Sequence, residues 1–222
     1  QIREAVVGLT DKQRKAIFFS SDWHLFHANC LKFDNRPFSS VEAMHEALIR
    51  RYNAVVPQDG VCYFLGDIGV SGGTEGCFSV ISRLNGTKVL VLGNHDKKMH
   101  AMYKAGFDVV LHSASMVIQG EMVTMTHCPL RGLYREDVTD MKGSIKGQNW
   151  HGEHKQKDFS IESFGQFHLH GHIHSPNGGK SEKTLGRQMD VGAPAWNYTP
   201  VSISQVESWI SKVKADEAAS GK

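Results

Sequence analysis

Along the chain, short runs of β-branched and aromatic residues alternate with longer segments of helical periodicity. The runs AIFFSSDWH from Ala16, VCYFLGD from Val61, KVLVLGNHD from Lys88, MVTMTHC from Met122 and FGQFHLHGH from Phe164 each lead into a turn rich in Gly, Asp, Asn or His. Apolar runs of this length bounded by turn residues predict largely buried strands. Residues 39–56, SSVEAMHEALIRRYNAVV, predict a helix opened by a capping box from Ser39 to Glu42. A second box, Ser204 to Glu207, opens a C-terminal helix over SQVESWISKV. Strands alternating with helices make this an α/β chain, with antiparallel strands expected in its second half.

At 222 residues the chain is read as a single domain that buries its core without disulfides. Residues 131–160 stand apart as a polar insertion poor in aliphatic residues, a candidate flap over a site, and 215–222 read as a frayed tail. A net charge of +2 does not mark a nucleic-acid binder, although a local basic patch stays open. No stretch approaches the roughly 20 apolar residues of a membrane span, so no membrane partner is expected. Cys30, Cys62, Cys77 and Cys128 are scattered without C-x-x-C spacing, which predicts reduced thiols and a cytoplasmic location.

The candidate chemistry lies where the predicted strands end. Asp22 and His24 follow the first, Asp67 the second, Asn94, His95 and Asp96 the third, His127 the fourth, and His172 with His174 the fifth. Metal-ligand residue types thus recur where loops converge over a rigid scaffold. A set of carboxylates, imidazoles and one amide, without thiolate, suits Mn, Fe or Zn in five- or six-coordinate geometry. Such a set exceeds the needs of one ion with an open position, and two ions sharing a carboxylate is the economical arrangement.

The motifs D-x-H (Asp22 to His24), G-D (Gly66, Asp67), G-N-H-D (Gly93 to Asp96), a lone His127 and G-H-x-H (Gly171 to His174) occur in one order from about Ala16 to Ile203. In this the chain resembles the calcineurin-like metallophosphoesterases. The resemblance implies a four-layer αββα fold, two packed mixed β-sheets flanked by helices, with a dinuclear site at one edge. Asp22, His24 and His174 would bind one divalent ion, and Asn94, His127 and His172 the other. Asp67 would bridge, and Mn is the favoured metal in vitro. His95 would face the substrate, with Asp96 orienting its ring. The implied activity is hydrolysis of a small phosphorylated, nucleotide-like substrate by in-line attack of a metal-bridging hydroxide. The reading leans to phosphodiesterase, with a phosphomonoesterase or a non-catalytic metal-bound binding protein as alternatives, and with nucleic acid not favoured as a partner.

The stretch HLFHANCLKFDNRPFSS after the first turn resembles a small bacterial and phage-encoded subset of that superfamily. His27 and Arg36 are thereby candidates to hold a phosphate oxygen, as is Arg131 after HCPL. Within HLHGHIH, His170 is read as supporting the ligands from behind, and His168 as a satisfied structural histidine. After Asp67 the chain lacks the V-D-R-G continuation of protein Ser/Thr phosphatases. Val70 stands where double-strand-break nucleases of the superfamily often carry His.

Overall fold

The computed structural model describes residues 15–69, 72–131, 161–175 and 186–221. The insertion from 132 to 160 and Val70 lie outside the described residues. A five-stranded sheet is formed by β1 (Ile17–Ser20), β2 (Val61–Phe64), β3 (Thr87–Val91), β4 (Val109–Leu111) and β9 (Val201–Ser202), in the order β4-β3-β2-β1-β9. β1 to β4 run parallel, and β9 pairs antiparallel to β1. The second sheet has the order β5-β6-β7-β8, from β5 (Ala114–Ile118), β6 (Glu121–Met125), β7 (Phe167–His170) and β8 (Gln188–Asp190). Only the β5–β6 pair in it is antiparallel.

The helices are α1 (Ala28–Phe33), α2 (Val41–Val55), α3 (Gly73–Ile81), α4 (Met99–Lys104) and α5 (Ile203–Ala219), with a 3-10 turn at Ala193–Trp196. The first strand, IFFS, is apolar on both faces because it is covered on both. Phe18 packs with Phe64, Leu90 and the α2 residues Leu48 and Tyr52, whereas Ile17 and Phe19 face Met116, Met125 and Leu169 of the second sheet. The chain is thus two packed mixed sheets flanked by helices. Among the described residues no helix is long and apolar enough to cross a membrane. All four cysteines are buried and free.

Both helix caps sit elsewhere than the sequence suggests. Ser40, not Ser39, caps α2 by accepting from Ala43 N at 3.1 Å. For α5 the box is Ser202 with Gln205, because the buried stripe Ile203, Val206, Ile210 begins one turn earlier than Ser204 allows. The helix also continues through Ala219, so 215–219 are not frayed.

Candidate metal centre

The first strand delivers its two candidate ligands by burying the residue between them. Trp23 is 1% exposed, packs edge-on against Phe64 and Tyr52, and donates from its indole N–H to Ser20 Oγ at 2.8 Å. With Trp23 committed to the core, Asp22 and His24 take left-handed conformations, φ 57° and 50°. Their backbone N–H groups bond to Gly66 O and Asp67 O, each at 3.0 Å, which carries the β1–β2 pairing into the loops. Of ten non-glycine residues with positive φ among those described, five are candidate ligands: Asp22, His24, Asp67, His172 and His174. Such conformations are costly and persist where surrounding structure imposes them, characteristically at functional sites.

Glycines let these loops close on one another. A Cβ on Gly66 would lie 2.6 Å from both Gly93 Cα and His127 Nδ1, and one on Gly171 would collide with Ser21 Oγ and Asp22 Oδ2. The absent side chains leave room for His172 N–H to donate to the Asp22 carboxylate at 3.0 and 3.1 Å.

Among the described residues, three groups of side chains are close enough to hold a metal ion: Asp22, His24 and His174; Asp22, Asp67 and His127; and His127, Cys128 and His172. His24 Nε2 and His174 Nε2 are 3.1 Å apart, and His174 Nε2 is 3.4 Å from Asp22 Oδ1. In the neighbouring set, His172 Nδ1 lies 3.1 Å from Asn94 Oδ1 and 3.3 Å from His127 Nε2. Two donors about 2.1 Å from a shared ion at right angles are about 3 Å from each other, so this spacing fits metal coordination. Asp67 Oδ1 accepts from His95 N at 2.9 Å, while Oδ2 lies 3.3 Å from His127 Nε2 and 3.8 Å from His24 Nε2. Burial and the Asp67 and Asp22 charges push the Cys128 thiol up, which keeps it protonated and a poor ligand.

Far-side contacts set the rings. His127 Nδ1 is 2.7 Å from Leu65 O, and His174 Nδ1 is 2.9 Å from Asp34 Oδ1. Each leaves Nε2 facing the cluster. Burial, reinforced by His174, pulls His24 down to about 3; burial, reinforced by His127, does the same to His172. Both are therefore neutral donors at pH 7. For His127 burial is outweighed by Asp67, which pushes it up to about 9; for His174 Asp22 and Asp34 outweigh burial and push it to about 10. Asp67 and Asp22 are held below the carboxylate range by the facing histidines in spite of their burial. This alternation of negative and positive groups is what a divalent ion would replace.

The remaining candidates divide. His95 has a ring 32% exposed, with Nε2 4.0 Å from Asp67 Oδ2, so it stands at the open side of the cluster. His27 lies beside His24, ring centroids 6.0 Å apart, with Nδ1 buried and unbonded. Asp96 serves the backbone rather than the His95 ring: its carboxylate accepts from Asp67 N, Ile68 N and Gly93 N at 2.8 to 2.9 Å. That clamp joins two ligand-bearing loops. Arg36, expected to hold a phosphate oxygen, is instead buried at 4% exposed, and its donors go to Trp23 O, Asp22 O and Asp34. Arg131 forms an exposed ion pair with Glu162 at 2.7 Å.

His170 sends Nδ1 to Gly171 O at 2.9 Å and is the β-ladder partner of Asp190, which sits behind the site and accepts from Ser175 N and Gly192 N. His168 is fully buried among Thr124 Oγ1, Thr126 Oγ1 and Cys128 O, a satisfied structural histidine. Asp34 lies within the HLFHANCLKFDNRPFSS stretch without being a candidate there, and Asp190 belongs to none of the motifs.

No family model matches the chain. Over 84 residues it is 43% identical to the uncharacterized protein MJ1445 of Methanocaldococcus jannaschii, a match covering 37% of this chain and 48% of that protein. The chain thus spans about half the length of the curated relative it matches. Among solved structures, AQ665 of Aquifex aeolicus, a protein of unknown function, aligns over 86% of this chain and 97% of that one. Its TM-score of 0.61 at 19% identity shows the shared fold. Yfce, a phosphoesterase from E. coli, aligns over 81% and 79% at 14% identity, but its TM-score of 0.35 is too low to support a comparison.

Proposed function

We propose that the chain is a dinuclear metal-dependent phosphoesterase of the calcineurin-like kind. The observation that carries this reading is Asp67, whose Oδ2 faces His127 on one side and His24 on the other. In this reading Asp22, His24 and His174 hold one ion, Asn94, His127 and His172 hold the second, and Asp67 is common to both. The donor set of imidazole, carboxylate and amide fits Mn, Fe or Zn. A pair of such ions supplies Lewis acidity to a phosphoryl oxygen and lowers the pKa of water at neutral pH.

The protein's own groups do the rest. The ring of His95 presents Nε2 at the open side of the cluster and donates its proton to the leaving oxygen. Asp67 Oδ1 accepts from His95 N, which ties the backbone of the proton donor to the carboxylate that both ions would share. Asp96 holds the Asp67 and Gly93 loops in register.

The substrate is a small phosphorylated, nucleotide-like molecule, and the phosphodiester class is favoured. A monoester brings a second negative charge that asks for further cationic donors. Among the described residues, the two candidate arginines, Arg36 and Arg131, are engaged with Asp34 and Glu162 respectively. Turnover of bis-p-nitrophenyl phosphate against p-nitrophenyl phosphate, with Mn²⁺ and with chelator, tests this. Chelator-sensitive hydrolysis favouring the diester is expected, and preference for the monoester would overturn the diester assignment.

A further inference from the structure

The geometry points to Asp34 as a positioning residue that sets one metal ligand, His174, through a clamp built on the buried Arg36. It rests on the reading of Asp22, His24 and His174 as the ligands of one ion. Asp34 comes from no strand end; it is the residue that closes α1, and it lies outside the groups that could themselves hold an ion.

Its two oxygens have separate tasks. Oδ1 is 2.9 Å from His174 Nδ1, opposite the Nε2 that approaches Asp22 and His24. Oδ2 accepts from Arg36 Nε at 3.0 Å and lies 2.9 Å from Nη2. The guanidinium is itself immobilised: Nη2 donates to Asp22 O and Nη1 to Trp23 O, each at 2.9 Å, and its Cζ lies 5.8 Å from the centre of the Tyr198 ring. One cation therefore ties Asp34 to the backbone of Asp22. The His174 ring is held between two carboxylates, Asp34 at Nδ1 and Asp22 at Nε2, whose relative position Arg36 fixes.

The chemical consequence follows from the side of the ring each carboxylate occupies. Asp34 keeps the proton on Nδ1, leaves the Nε2 lone pair for the ion, and strengthens that nitrogen as a donor through its own negative charge. A buried arginine is suited to this because its planar fork can serve a carboxylate and two carbonyls at once.

The test is a calorimetric titration of the metal-free protein with Mn²⁺, which reads each ion's affinity without reference to catalysis. The wild-type titration comes first: failure to take up divalent ions would refute the metal reading before any variant is made. Given two ions, Asp34→Asn should weaken one of them about 10- to 100-fold and leave the other unchanged. In a His174→Ala background the same substitution should cause no further loss.

Weakening that persists in that background would assign Asp34 to the fold around Asp22 instead of His174, and unchanged affinities would overturn the proposal outright. Asp34→Glu leaves Arg36 a carboxylate but displaces it from His174. It serves as the measurement should Asp34→Asn fail to fold, with the same ion expected to weaken.

Discussion

Asp67 Oδ2 lies 3.3 Å from His127 Nε2, and the same oxygen is 3.8 Å from His24 Nε2. One carboxylate from the end of β2 thereby meets histidines from the ends of β6 and β1. In the proposed function Asp67 would be the carboxylate shared by the two ions. Asp67→Asn, which removes the charge and keeps the shape, should abolish turnover and greatly weaken at least one ion. Elemental analysis finding two tightly held ions in an active variant would remove Asp67 from the bridging role.

His95 separates metal binding from proton transfer. Its ring is part-exposed and its backbone N–H, which Ala retains, is what bonds to Asp67 Oδ1, so His95→Ala should leave both ions bound. Turnover should fall about 10²- to 10⁴-fold, the scale of general acid catalysis. Steady-state kinetics at saturating Mn²⁺ decide the matter, and an unchanged kcat would take His95 out of the chemistry.

Asp96 supports the loops from beneath. Asp96→Ala removes the acceptor of three backbone N–H groups, a loss of about 1–3 kcal/mol for each donor left unsatisfied away from water. Urea denaturation should show a large fall in stability together with loss of metal binding. A variant as stable as wild type would mean the clamp is dispensable.

The metal-free protein should have a definite pH profile. His127 and His174 titrate near 9 and 10, above their usual 6.5, so their stabilisation is complete below 6.5 and is lost as pH rises through 9 to 10. Burial, together with the Asp67 charge, pushes Asp96 up to about 7, which also makes stability fall as pH rises past its usual 3.8. On the acid side His24 and His172, titrating near 3, would have to charge on unfolding, so their contribution is lost as pH falls below 6.5. Melting temperature under chelator should therefore decline from pH 6.5 to 10. Mn²⁺ affinity should climb over the same range, because the ion displaces the protons of His127 and His174. A melting temperature that rises toward pH 10 would contradict these assignments.

The strand ends were legible because the signal is local: an apolar run, a turn, then Asp, Asn or His. The sheets followed for the same reason, since IFFS, VCYF and FHLH read as strands buried on both faces. Asp34 was not legible because its partner His174 is 140 residues away and no spacing announces the pair. The residue type of Arg36 suits a phosphate contact, whereas its burial depends on Tyr198 and the Asp22 turn, which no local pattern announces. Asp96 sits next to His95 in sequence, yet the turn aims its carboxylate at the backbone of Asp67. The caps of α2 and α5 were misplaced by one and two residues because neighbouring serines compete, and burial of Ile203 decides between Ser202 and Ser204.

The most direct measurement is the rate of bis-p-nitrophenyl phosphate hydrolysis by metal-stripped protein as Mn²⁺ is added back, read against bound metal per chain. Turnover should be absent without metal, rise until it levels off at two ions per chain, and be lost completely on chelation. Turnover indifferent to chelator, or a metal-loaded protein that hydrolyses neither diester nor monoester, would contradict the proposed function.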